Sequence, residues 1–248
     1  KEKTGGVIGV NIMVALRDFE KLVRESIAAG ADIIFAGAGL PLELPGLLPE
    51  HCRTKLAPIV SSGKAAKLIA KRWQSRYGYT PDAVVVEGPL AGGHLGFKTE
   101  ELTDPNCTLE SIFKDVQREL EPYGSIPLIA GGGIYYGGDI AKILALGASA
   151  AQLGSRFVTT TECDASPEFK EAYIRAKEED VRLIESPVGL PGRAFRSDFL
   201  RAVARNEKRP EFCEFNCLVP CKKTQAPYCI AHALINAYRG NMEEAFVF

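Results

Sequence analysis

His94 is the residue whose type and neighbourhood best suit it to chemistry. It closes the stretch Glu87-Gly88-Pro89-Leu90-Ala91-Gly92-Gly93-His94, which follows the apolar run of residues 83–86. Glycines after a strand let backbone approach a flat ligand closely. Imidazole is the side chain best suited to move a proton near neutral pH. Taken alone, the stretch reads equally well as a glycine turn with a structural histidine. Two further glycine signals follow the next strands: Gly131-Gly132-Gly133 and Gly154-Ser155. Backbone N–H groups freed by glycine next to a helix start form an anion site, to which the Ser155 hydroxyl adds a donor. Their recurrence after consecutive strands favours phosphate binding over mere turns. Asn11 and Gln152 lie inside runs that otherwise read as buried strands. A buried amide needs partners; backbone pairing is the simpler expectation for each, and contact with the polar edge of a planar cofactor is the other.

Other chemistries fit less well. None of the six strand runs carries a lysine in its body, which counts against a Schiff-base enzyme. The three histidines, His51, His94 and His232, are scattered without the spacing of a zinc hydrolase. Cys213, Cys217, Cys221 and Cys229 are separated by three, three and seven residues. Four thiols can hold zinc or an iron–sulfur cluster, but this spacing fits no standard ligand pattern. We expect buried or free thiols there rather than a metal site.

The elements that must position these residues follow from the apolar pattern. Strands are expected at residues 7–13, 32–38, 56–61, 83–87, 126–130 and 150–153. Helical stripes lie between them: Phe19, Leu22, Val23 and Ile27, and again Leu109, Ile112, Phe113, Val116 and Leu120. Ser62, Thr108 and Ser166-Pro167 are helix starts. Strand-then-helix units with continuous apolar strands mean a parallel sheet covered by helices. Small and polar residues cluster after the strands, where barrel active sites sit. We therefore expect an α/β fold of TIM (β/α)8-type barrel, lacking the first two βα units, over residues 1–178. Residues 179–248 are expected to form a small helical, cysteine-rich extension packed on it, with residues 186–196 a loop and short helices near 197–205 and 228–238.

Composition narrows the function. A net charge of −1 argues against nucleic acid and polybasic membrane contacts. No apolar run approaches the roughly 20 residues that span a bilayer. Seven cysteines, an odd number, and the lack of a signal-like start suggest a reducing, cytoplasmic setting.

Taken together, the motifs resemble the nitronate monooxygenase family, formerly the 2-nitropropane dioxygenases. The matching pieces are residues 9–13 (GVNIM), 36–41 (AGAGLP), Glu87-Gly88 with 91–94 (AGGH), 130–134 (AGGGI) and 152–157 (QLGSRF). Flavin-dependent enoyl-acyl-carrier-protein reductases share much of this pattern. The resemblance implies an FMN-binding barrel, with the FMN phosphate on Gly132, Gly133, Gly154 and Ser155 and the ring beside Asn11 and Gln152. Glu87, Gly92, Gly93 and Gly131 complete the implied cofactor set. His94 is implied as catalytic base or as the group holding an anionic substrate. The implied reaction is oxidation of alkyl nitronates by O₂ to carbonyl compounds and nitrite. An NAD(P)H-dependent enoyl reductase and a flavin-free phosphate-binding barrel are the alternatives. The chain departs from the family pattern at Pro89-Leu90, where an acidic residue is usual, and its cysteine-rich tail resembles only a subgroup. An incomplete barrel exposes strand edges, so self-association is also expected.

Overall fold

Short β-branched runs become strands, and the amphipathic stretches between them become helices. The computed structural model describes residues 5–248. Its strands are β1 Gly9–Met13, β2 Ile33–Gly37, β3 Lys55–Val60, β4 Val84–Glu87, β5 Gly93–His94, β6 Leu128–Gly131, β7 Ala150–Gln152, β8 Val181–Glu185 and β9 Pro191–Phe195. Its α-helices are α1 Phe19–Ala28, α2 Gly63–Tyr77, α3 Leu109–Leu120, α4 Gly137–Ala145, α5 Ser155–Val158, α6 Pro167–Arg175, α7 Asp198–Ala204 and α8 Ile230–Arg239. None is long and apolar enough to cross a membrane among the described residues. The chain divides into two compact units. The first holds residues up to Leu90 with Glu100–Gln152; the second holds Ala91–Thr99 with Leu153–Phe248. The composition change at Glu179 lies inside the second unit, and the histidine-bearing segment joins that unit rather than the strand it follows.

The first unit is a six-stranded sheet in the order β1-β2-β3-β4-β6-β7, parallel throughout. Each strand lies beside its predecessor and the order never reverses. A doubly wound sheet reverses at its switch point; this one follows the sense of a (β/α)-barrel. Alternation along the strands separates two faces. Ile12, Ile34, Ala36, Leu56, Val60, Val84, Val86 and Ala130 are buried on the face packed by α1 to α4, whose Val23, Ile69, Trp73, Phe113, Val116 and Ile143 are also buried. Each large side chain so hidden contributes roughly 1.5–3 kcal/mol. The other face is closed in the middle by Ala57 and Val85 and opens toward both edges, where Asn11 and Gln152 are exposed. The expected caps form. Ser62 Oγ accepts from Ala65 N–H at 3.3 Å, and Thr108 and Ser111 cap each other reciprocally.

In the second unit, residues 186–196 are not the loop their proline and glycine content suggested. Residues 191–195 form β9, which runs antiparallel to β8 in the register Val181 to Phe195 and Glu185 to Pro191. Proline is tolerated there because it sits at the first position of the strand. Gly189, with φ of 84°, makes the turn, and its N–H donates to Ser186 O at 2.9 Å. The free side of β9 takes β5, with His94 opposite Gly192. An aromatic core of Phe199, Tyr228 and Phe246 holds this unit together. The rings of Tyr228 and Phe246 meet edge to face at 5.5 Å, and both residues are buried. Ser166 caps α6 by accepting from Phe169 N–H at 3.2 Å.

Candidate functional site

In the first unit, parallel pairing sets Glu87, Gly131 and Gln152 side by side at the C-terminal ends of β4, β6 and β7. Residues paired laterally in a sheet share a face. A Cβ added at Gly131 would stand 3.3 Å from the Cβ of Gln152, so glycine leaves room beside that amide. Asn11 lies on the same face of β1 by alternation. Neither Asn11 nor Gln152 is buried. The expectation of core amides satisfied by backbone fails because the strands that carry them lie at the edges of the sheet. Neither amide has a hydrogen-bond partner among the described residues. Glu87 is half-buried, and burial pushes its pKa up to about 7. Near neutral pH about half of it is a neutral carboxylic acid, which donates a hydrogen bond as well as accepting one.

The glycine turn after β6 carries left-handed backbone at Gly132 and Gly133, with φ of 91° and 81°. At Gly133 a Cβ would also approach Leu90 Cβ to 3.0 Å. The start of α4 does not offer its amides as expected. Tyr135 and Tyr136 N–H donate to Asp139 Oδ2 at 3.0 and 2.7 Å, so a carboxylate already occupies that position. Gly132 and Gly133 border a cavity of about 450 Å³, lined also by Leu90, Leu109, Asp139 and Lys142. That volume is within the range of small-ligand sites.

In the second unit, His94 sits on β5 behind Gly93, whose φ of 74° turns the chain. Its Nε2 shares a hydrogen with Ser186 Oγ at 2.7 Å, and its ring lies 4.9 Å from Phe248, edge to face. Burial pushes its pKa down to about 4. The imidazole is neutral near pH 7 and available to accept a proton. Arg193 stands opposite Gly93 on β9, and its Nη1 donates to Ala91 O at 2.6 Å. A guanidinium thus ties down the start of the histidine segment. Gly154 and Ser155 are exposed, at the head of the one-turn helix α5. Ser186 and Arg193 were missed from sequence. Strand alternation in residues 191–195 was the only available signal, and proline and glycine obscured it. Among the described residues, no three His, Cys, Asp or Glu side chains are already arranged to hold a metal ion.

An unreversed run of parallel strands, helices over one face and polar groups at the strand C-termini define an α/β protein of the (β/α)-barrel class. More particularly, the chain belongs to the nitronate monooxygenase family, whose sequence model matches residues 1–248. It is similar to a Rhodococcus jostii (3aS,4S,5R,7aS)-5-hydroxy-7a-methyl-1-oxo-octahydro-1H-indene-4-carboxyl-CoA dehydrogenase, at 27% identity over 207 residues covering 82% of this chain and 52% of that protein. It is 33% identical over 132 residues to a Paraburkholderia phytofirmans nitronate monooxygenase, covering 52% of this chain and 34% of that one. The chain thus spans about half or less of the length of these curated relatives. Among solved structures, FabK from Thermotoga maritima superposes with a TM-score of 0.75 at 29% identity, covering 99% of this chain and 70% of FabK. A nitroalkane oxidase from Streptomyces ansochromogenes shares the fold at a TM-score of 0.67 and 22% identity, over 98% and 73% of the two chains.

Proposed function

We propose that this chain is an FMN-dependent oxidoreductase that oxidises alkyl nitronates with O₂ to carbonyl compounds and nitrite. The observation that carries the reading is the row Glu87, Gly131, Gln152, a polar edge with one side chain missing, on the open face of a sheet from this family. That row suits a flat heteroaromatic ring with acceptors and donors along its rim. FMN supplies the electron transfer between substrate and O₂ when bound. Asn11, Glu87 and Gln152 are assigned to its polar rim, with Gly131 leaving space for it. The amides of Gly132, Gly133 and Gly154 and the hydroxyl of Ser155 are assigned to its phosphate, and Gly92 and Gly93 to close backbone approach. His94 is assigned to the proton at the α-carbon of a neutral nitroalkane, which the imidazole accepts. A buried imidazole is a weak base by itself, but the nitronate that forms is an anion and stabilises the imidazolium. Ser186 holds the ring in place. Seven free cysteines suit a reducing compartment, which we take to be the cytoplasm.

The test is an absorbance spectrum of the chain incubated with FMN and freed of excess, before and after anaerobic addition of a nitronate. Retained flavin bands that bleach on addition are expected. A chain that takes up no flavin sinks the proposal. A second reading, an NAD(P)H-dependent reductase of enoyl thioesters, draws support from the likeness to FabK and to a CoA-thioester dehydrogenase. Bands that ignore nitronate but bleach with NADH, and recover on adding an enoyl thioester, would favour it.

A further inference from the structure

We propose that Cys213, Cys217, Cys221 and Cys229 bind a single thiophilic divalent ion of the zinc type, as a tetrathiolate site inside the second unit. All four line one small cavity of about 30 Å³. That is room enough for a water-sized guest, so it suits one ion. The backbone between Cys213 and Cys217 turns around a sulfur. Asn216 adopts a φ of 45°, and its N–H donates to Cys213 Sγ at 3.3 Å. Such N–H donors stabilise a sulfur that carries negative charge. Leu218 and Tyr228 are buried against the same cavity, so the thiols lie under an apolar cover.

Residues 206–229 contain no helix or extended strand, and yet they bring four cysteines to one cavity. Few backbone hydrogen bonds hold this segment, so a metal crosslink would supply order that secondary structure does not. The thiols surround the cavity without having converged on a point, in keeping with the absence of a ready-made set among the described residues. Binding would close them in, since metal sites commonly form together with the fold around them. Each thiol loses its proton and each sulfur forms one bond to the ion: Zn²⁺ and four R–SH give a tetrathiolate of net charge −2 and four H⁺. No electrons are transferred. Lys223, on the cavity wall, offsets part of that charge.

The experiment titrates Co²⁺, a spectroscopic substitute for Zn²⁺, into the full chain held reduced and metal-free. Expected are visible tetrahedral thiolate bands that saturate at one ion per chain and vanish when one equivalent of Zn²⁺ is added. The bound ion protects four of the seven cysteines from a thiol reagent, leaving Cys52, Cys107 and Cys163 reactive. Cys217→Ser weakens binding by about 100-fold or more. Cys229→His, which substitutes one zinc ligand for another, keeps a one-to-one site with shifted bands, and so separates loss of a ligand from loss of the fold. Cys52→Ser leaves the titration unchanged. Absence of bands at one equivalent, bands indifferent to Cys217→Ser, or four irons with inorganic sulfide per chain would each overturn the proposal.

Discussion

Two titrating side chains, Glu87 and His94, are pushed in opposite directions by the same cause, loss of water around the charged form. The Glu87 pKa rises from its ordinary 4.5 to about 7. The folded chain therefore keeps a proton that the unfolded chain gives up. The stability this represents is complete below pH 4.5 and is lost as pH rises through 7, by roughly 3 kcal/mol at most. Glu87→Gln, neutral at every pH, removes that loss. Urea midpoints should show the variant as stable as the parent at pH 5 and more stable at pH 8; equal midpoints at both would refute the buried acid. The His94 pKa falls from 6.5 to about 4. Its contribution is complete above pH 6.5 and is lost as pH falls through 4. His94→Asn should therefore flatten the acid side of the stability profile. The same variant separates the two roles open to the imidazole. If His94 removes the α-proton, initial rates with a neutral nitroalkane fall by about 100-fold or more, while rates with preformed nitronate change little. Equal losses with both substrates would point to anion binding instead.

At the scale of elements, legibility followed how local the signal was. The strands of the first unit were plain because each is a short apolar run between a helix stop and a small residue. Helices α2, α3 and α6 announced themselves through Ser62, Thr108 and Ser166. The hairpin of β8 and β9 was not legible, since residues 186–196 look like a loop until a partner strand is supplied. His94 was found from sequence, but its partner Ser186 lies 92 positions away and no local pattern joins them. The exposure of Asn11 and Gln152 was equally hidden, because it depends on which strands have a second neighbour. The short strand β5 offers a test of how much its glycines matter. Gly93 has a φ of 74° with nothing within 4 Å of an added Cβ, so Gly93→Ala is strained by backbone alone. It should cost about 1 kcal/mol and lower turnover by moving His94. Gly92 has the same open surroundings without the left-handed φ, so Gly92→Ala should be near neutral in thermal melts. Equal costs for the two would mean that conformation is not what selects glycine there.

On the scale of the whole molecule, the sheet of the first unit leaves a strand unpaired on each side. β1 pairs only with β2, and β7 only with β6, among the described residues. A closed barrel has no such edges, and an open sheet presents rows of N–H and C=O groups that accept another strand. The flank of β1 adds apolar surface, with Val7 83% exposed. No proline or inward-facing charge lies within β1 to discourage pairing. The free edge of β1 should therefore support association of one copy with another. Sedimentation velocity across a hundredfold range of concentration should show the mean sedimentation coefficient rising, and Val7→Lys, which places a charge beside the edge, should reduce the rise. Association that is independent of protein concentration, or untouched by the lysine, would place the contact elsewhere. Because strand pairing is a backbone event, the tendency should survive Glu87→Gln and His94→Asn, which alter the open face but not the edges.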